Sequence, residues 1–521
     1  MNTTRNFENR LFAVSAIVMI GLLVFISACK KSSVTNSTDT TSTTTGTVTG
    51  GTSTIDNSGV TSGTAEGSTE VGANADDLIA NSTFSSVVGI SFGTTITITN
   101  PLAASGVTIT QSGGDVTINS TATGVDFQLT GTTTSGSLKV YSEKKFKLTL
   151  NGVNITNNDG PALNIQSSKR FFVQLNDNTT NTLADASTYA TSTEDMKGTF
   201  FSEGQMIFVG NGTLNVKGNY KHAIVSDDYV RVIAGNINIT GAIADGIHSN
   251  DAVIIDGGTI KITATGDGIQ ADEGHVIIND GVITTQTVDK GISASYEGTD
   301  ATIVPYLTIN GGTITVTSTK GEGIESKGAL TINKGTIAIN SYDDAVNAKT
   351  AIYINGGSVY AYATNNDAMD SNGTFTITGG KIVAIGANSP EASIDCDART
   401  LKITGGLLIG IAGATSGPTA SVSTVRSLVM GSGTAQIIHI EAADGTEALT
   451  FLAPKSYSTL IFASAKLKAN TAYTIYTGGS VTDATNFYGL YLTGTYNRGY
   501  KGTTFTTSSV VTQIGGSISR G

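Results

Sequence analysis

Tryptophan is absent from the 521 residues, cysteine occurs twice, and proline and methionine six times each. Amphipathic runs of helical period are missing, which argues against helical bundles and helix-bearing repeats. Positive charge is short: 30 Lys and Arg face 41 Asp and Glu, a net charge of −11. That balance argues against nucleic acid as the main partner, since phosphate binding needs a basic surface. Catalytic signatures are missing too. Four histidines, His222, His248, His275 and His439, are scattered along the chain. There is no Gly-x-Ser-x-Gly elbow, no zinc motif and no phosphate-binding glycine pattern. Glycine, threonine, isoleucine, valine and asparagine dominate instead, a mix that suits many short β-strands joined by tight turns.

The N-terminus reads as an address. Arg5 and Arg10 flank the start of a mostly apolar run from Leu11 to Ile26, closed by Ser27, Ala28 and Cys29. This is a secretory signal over 1–28, and a run of that length is short for a membrane span. Ile-Ser-Ala-Cys resembles the bacterial lipobox, which makes Cys29 the lipidated first residue of the mature chain. The protein is then expected in the cell envelope, anchored to a membrane, with the outer membrane of a Gram-negative bacterium as the preferred place. Periplasm-facing and surface-exposed orientations both stay open. Cys396 has no internal partner once Cys29 is acylated, so no disulfide is expected. From 29 to 75 a Ser/Thr/Gly-rich tract has almost no large apolar residue, and reads as a flexible tether.

The central region repeats. Glycine-led strands begin at Gly212, Gly235, Gly258, Gly281, Gly312, Gly335, Gly357 and Gly380. Most steps are 22 or 23 residues, and the one from Gly281 to Gly312 is 31, with an insertion around Glu297 to Pro305. A fixed period in this range signals a solenoid. A second series aligns Asp245-Gly-Ile-His, Asp267-Gly-Ile-Gln, Lys290-Gly-Ile-Ser, Glu322-Gly-Ile-Glu, Asp344-Ala-Val-Asn and Asp367-Ala-Met-Asp. Stacking them gives an apolar column of Ile247, Ile269, Ile292, Ile324, Val346, Met369 and Ile394. Two positions on lies a small column, Ser249, Ala271, Ala294, Ser326, Ala348, Ser371 and Cys396. Alternate residues of a strand share a face, so both columns should point inward. The expected fold is all-β: a right-handed parallel β-helix over 76–413, then a small C-terminal β-rich module or cap over 414–521.

Three segments carry a resemblance: Lys147-Leu-Thr-Leu-Asn-Gly-Val-Asn-Ile-Thr-Asn, Lys217-Gly-Asn-Tyr-Lys-His-Ala-Ile and Asp245-Gly-Ile-His-Ser-Asn-Asp-Ala-Val-Ile-Ile-Asp-Gly-Gly. They are similar to signatures of the bacterial carbohydrate-binding β-helix family described from clostridia as cellulose- and acid-sugar-binding proteins. The resemblance implies a right-handed parallel β-helix that binds calcium and plant-type polysaccharides, similar in architecture to pectate lyases, without established cleavage.

Candidate sites follow from the outward columns. One runs His248, Gln270, Ser293, Glu325, Asn347, Asp370, Asp395, and acids concentrate in the later coils. Carboxylates stacked one coil apart repel by about 3–4 kcal/mol at an effective dielectric near 20, so something must offset them. Calcium, a hard ion taking six to eight oxygens, is the expected cofactor, with Glu322, Glu325, Asp343, Asp344, Asn347, Asp367, Asp370 and outer Asp395 as the cluster. The alternative is that these acids cap turns with no metal. Tyr353, Tyr360 and Tyr362 are candidate sugar-stacking residues, or ordinary exposed tyrosines. Lys327 and Lys349, with Lys261, Lys320 and Lys381, are candidates to meet uronates, or simply pair with neighbouring acids. The leading reading is a monomeric, non-catalytic polysaccharide-binding lipoprotein for acidic (polygalacturonate-like) or cellulosic glycans. A calcium-dependent lyase with Lys327 or Lys349 as base, and an adhesin or spacer, remain open.

Overall fold

The computed structural model describes residues 50–519 with the exception of 297. The signal segment, Cys29 and the tract up to residue 49 lie outside the described residues.

The chain winds into an all-β parallel solenoid of about 13 turns, closed by an antiparallel C-terminal sheet. Each central coil lays down three strands. A three-residue strand such as Ile324–Ser326 is followed by a four-residue strand, Ala329–Ile332, and a six-residue strand, Thr336–Ser341. Each pairs in parallel with its counterpart in the next coil, as in Ile324↔Val346, Leu330↔Ile352 and Ile337↔Val359. The repeating sequence makes this possible because β-branched residues recur at one coil spacing and stack on themselves. The two inward columns read from the sequence pair residue on residue: Ile247↔Ile269↔Ile292↔Ile324↔Val346↔Met369, and Ser249↔Ala271↔Ala294↔Ser326↔Ala348↔Ser371↔Cys396. Ile269, Ile292, Ile324 and Val346 are wholly buried, so Ile324→Ala would cost about 2–5 kcal/mol. Cys396 fills a small inward slot, its thiol donating to the Gly373 carbonyl at 3.3 Å.

The turns between the four- and six-residue strands need glycine. Gly357 sits at φ +81°, and a Cβ there would meet the Gly335 carbonyl oxygen of the previous coil at 2.7 Å. In the sheet of the four- and six-residue strands, antiparallel pairing covers both ends of the parallel stack. At the first coil Thr97–Thr99 runs antiparallel to Ser86–Phe92. At the last, Thr459–Ala463 runs antiparallel to Leu407–Ala412.

The tether expectation is corrected over 50–75. Thr52–Ile55 pairs with Leu490–Asn497 in the C-terminal sheet. The chain then runs back along the solenoid, coil by coil, as an extended strap. Gly406 N–H donates to Thr61 O at 2.7 Å and Gly63 N–H to Thr378 O at 2.6 Å. Beyond these, asparagine side chains hold the strap's carbonyls: Asn355 to Glu66 at 2.7 Å, Asn333 to Ser68 at 2.9 Å, Asn310 to Glu70 at 2.8 Å, Asn279 to Val71 at 2.9 Å. The strap ends at wholly buried Asp77, which takes Arg170 at 2.8 Å, Arg231 at 3.1 Å and the Tyr229 hydroxyl at 2.6 Å. Backbone groups do the binding, so a segment poor in apolar residues is ordered without a core of its own.

Candidate functional site: an outward ladder of carboxylates

In each three-residue strand the first and third side chains enter the core and the middle one faces out. Sheet register therefore fixes one outward column, His248↔Gln270↔Ser293↔Glu325↔Asn347↔Asp370↔Asp395. Beside it runs the turn column, Asp245, Asp267, Lys290, Glu322, Asp344 and Asp367. The turn aspartates divide their oxygens. Oδ1 of Asp245 accepts the Asp267 N–H at 2.8 Å, Oδ1 of Asp267 the Lys290 N–H at 3.0 Å, and Oδ1 of Asp344 the Asp367 N–H at 3.0 Å. Turn capping thus occupies one oxygen, and the other turns to the ladder: Oδ2 of Asp267 accepts the Ser293 hydroxyl at 2.8 Å, and Oδ2 of Asp344 the Asn347 amide at 3.0 Å.

Charge is balanced differently along the column. In the middle coils Lys290 stands 3.7 Å from Glu325, which is 2% exposed, and Lys327 also pairs with Glu325. Glu322 is pushed above the ordinary range by burial, with the Glu325 charge adding to it. These two glutamates, expected among the calcium ligands, belong to a lysine-balanced stretch. Asp343 is likewise drawn aside, accepting the Asn366 amide at 2.6 Å. In the late coils neither column offers a lysine. Asn347 spends both amide hydrogens on carboxylates, Asp344 at 3.0 Å and Asp370 at 2.9 Å. Ligand oxygens of Asp367, Asp370 and Asp395 lie within 4.8 Å of one another. Burial, then the charge of Asp370, pushes Asp344 up to about 8. Burial raises Asp367 to about 7, with the Asp395 charge adding to it against the pull of the Ala392 N–H. Asp370 rises to about 6 through burial, then Asp395 and Asp397. An all-oxygen donor set whose members resist ionising together is the chemistry that a hard divalent cation relieves.

The remaining candidates divide. Lys327 and Lys349 line one surface pocket of ≈290 Å³ with Tyr296, Asp300 and Val304, beside the insertion. The tyrosines do not form an open platform. The strap crosses Tyr353, where a Cβ on Gly67 would meet the ring at 2.6 Å. Tyr360 is stacked under Tyr488 of the C-terminal module at 3.8 Å and 7°, and Lys455 lies over Tyr362 at 5.8 Å. Distant parts of the chain cover these rings, which a single coil's sequence does not reveal. An open groove of ≈520 Å³ lies instead on the outer face of the six-residue strands, lined by Asn219, Ile243, Thr263, Gln286 and Thr317 among others. Tyr220, next to Asn219 in the chain, is 41% exposed and stacks on Tyr189 at 4.1 Å.

Two features escaped the sequence reading. His222 and His248, apparently scattered, stack at 4.2 Å and share Asp245; burial pushes His222 below the usual imidazole range. The signal was there, because His222 precedes Asp245 in the turn column by one coil. The asparagine column Asn279, Asn310, Asn333, Asn355 was also legible, each asparagine standing two residues before a turn glycine.

A carbohydrate-binding domain-containing protein of Acetivibrio thermocellus is 30% identical over 114 residues, which span 21% of this chain and 40% of that relative. A solved polysaccharide lyase-like protein from C. thermocellum, a gadolinium derivative, is 22% identical, with 56% of this chain and 98% of that chain covered and a TM-score of 0.35. The family model for the carbohydrate-binding domain-containing proteins matches residues 112–392 and 305–482, over half of the chain, and the protein belongs to that family.

Proposed function

We propose that the late coils hold Ca²⁺ through Asp367, Asp370 and Asp395, and that this end of the ladder binds an acidic, polygalacturonate-like glycan without cleaving it. The observation that carries the reading is the convergence of those three carboxylates within 4.8 Å in a stretch with no lysine in either column. Calcium accepts six to eight oxygens in loose geometry. Oxygens of Asp367 and Asp395 are partly engaged by the Ala392 N–H and by the Ser416 and Ser519 hydroxyls, so coordination positions remain for uronate oxygens or water. Lys349, exposed two residues beyond Asn347, supplies a cation for further uronates. Lys327 is engaged as a counter-ion of Glu325, which speaks against its use as a lyase base. The lipid anchor at Cys29 belongs to the same proposal and places the domain at the cell envelope; Cys29→Ser should release the protein from the membrane fraction.

The test is calorimetric titration of the chelator-stripped full chain with Ca²⁺, then with polygalacturonate and with cello-oligosaccharides. Calcium uptake followed by calcium-dependent binding of polygalacturonate supports the reading. No calcium heat and no polymer binding would sink it. Cello-oligosaccharide binding that ignores calcium would move recognition to the groove lined by Thr263, Gln286 and Thr317.

A further inference from the structure

We propose that His222, Asp245 and His248, with Gln270, form a binding site for one divalent transition-metal ion of the Zn²⁺, Co²⁺ or Ni²⁺ class. Nδ1 of His222 and Nδ1 of His248 stand 3.1 and 3.0 Å from the same Asp245 oxygen, Oδ2. The Gln270 carbonyl oxygen stands 3.1 Å from Nδ1 of His248. Donor atoms of His222, Asp245 and His248 thus lie within 4.8 Å of one another, and the Gln270 oxygen adds a fourth beside His248. For a tetrahedral ion with bonds of about 2.0–2.1 Å, donors lie roughly 3.3 Å apart, so each of these three contacts needs to open by only a few tenths of an ångström. The two stacked rings must also turn about their Cβ–Cγ bonds to bring their lone pairs onto the ion.

Hydrogen-bond accounting points the same way. The Asp245 N–H faces Nδ1 of His222 at 3.3 Å, which makes that nitrogen an acceptor and puts its proton on Nε2. Its lone pair then also confronts Asp245 Oδ2 with no proton between them. On the other ring, Nδ1 of His248 stands between two acceptors, Asp245 Oδ2 and Gln270 Oε1, and in the metal-free protein shares a proton with them. The amide of Gln270 is oriented by its own donation to Asp272 at 3.3 Å. The His222 nitrogen and the Asp245 oxygen are then buried acceptors facing one another, which is costly, and a metal ion in place of the His248 proton satisfies both. The surroundings support the role. Asp245 is oriented by the Asp267 N–H on its other oxygen, the kind of outer contact that fixes ligand carboxylates. The three side chains remain 5–11% exposed, which leaves an approach from solvent. Imidazole nitrogen selects borderline first-row ions and not hard Ca²⁺, so this site and the carboxylate end of the same ladder take different metals.

The experiment uses the full chain without a polyhistidine tag, stripped with chelator and titrated with Co²⁺ while visible absorption is read. The expected result is saturation at one equivalent with the d–d bands of a four-coordinate site. Zn²⁺ should displace the ion and excess Ca²⁺ should not. His222→Ala/His248→Ala should lose the signal, and Asp367→Asn should keep it. Because the double variant touches buried positions, a ¹H–¹⁵N imidazole spectrum of the unaltered chain provides an independent reading. With four histidines to resolve, zinc should move the Nδ1 resonances of His222 and His248 alone. No cobalt spectrum, a spectrum undiminished in the double variant, or Nδ1 protons on both rings that zinc leaves in place would overturn the proposal. The trio would then be a proton-sharing contact.

Discussion

Two outward ladders climb this solenoid at the same spacing, one of amides and one of carboxylates, and only the amides satisfy themselves. Each asparagine donates to the one a coil before it, Asn310 to Asn279, Asn333 to Asn310 and Asn355 to Asn333, all at 2.8 Å. Its second amide hydrogen is left for the strap. An amide both donates and accepts, so a column of them closes at any length. An ionised carboxylate only accepts, and a column of them needs a donor or cation from elsewhere. The protein supplies lysines at Lys290 and Lys327 in the middle coils, and beyond them the Asn347 amide but no cationic side chain in either column. The comparison teaches that coil geometry creates the column while side-chain chemistry decides whether a third party is required.

The sharpest way to break the contrast is pH. Asp344, Asp367 and Asp370 hold protons in the fold up to about 8, 7 and 6, against an ordinary 3.8. The folded state therefore binds more protons than the unfolded chain across that window. Metal-free stability should fall as pH rises from about 4 to about 8, by a few kcal/mol. Calcium should flatten the fall. Urea denaturation with and without chelator measures both, and a metal-free profile that rises with pH would refute the carboxylate account. Next in size, Lys290→Met removes a counter-ion from buried Glu325. It should cost about 2 kcal/mol, below the full penalty of a broken buried pair because Lys327 remains. The exchange experiments are smaller. Asn333→Asp turns an amide rung into an acceptor-only one, facing Asn310 Oδ1 and Ser68 O. A loss of about 1–3 kcal/mol and faster proteolysis within the strap are expected. Conversely, Asp370→Asn makes a carboxylate rung an amide. It should stabilise the metal-free protein by about 1 kcal/mol, lower the melting shift given by calcium, and leave cobalt binding at His222 and His248 intact.

The columns were legible because the period is regular and strands alternate their faces, so Asp370 and Asp395 could be stacked from sequence alone. The reading failed where contacts cross that period. Glu325 reads as a calcium ligand because a column shows which residues align, and not that Lys290 and Lys327 reach the same carboxylate. Tyr360 reads as open in the sequence because Tyr488 arrives from a module with irregular spacing. The strap reads as a tether because its composition carries no apolar signal. Its order comes from carbonyls meeting asparagine amides, a complementarity written in the partner's sequence.

The strap enters beside the last coils, at Thr52–Ile55 against the C-terminal sheet, and finishes beside Arg170 in the early ones. Tension applied at Gly50, along the strap, would load its contacts with Asn355, Asn333, Asn310 and Asn279 lengthwise and together. A bond row loaded in shear yields far less readily than one peeled rung by rung. If the chain is held at a surface by its N-terminus, the strap acts as a lap joint and spreads drag on the domain over several coils at once.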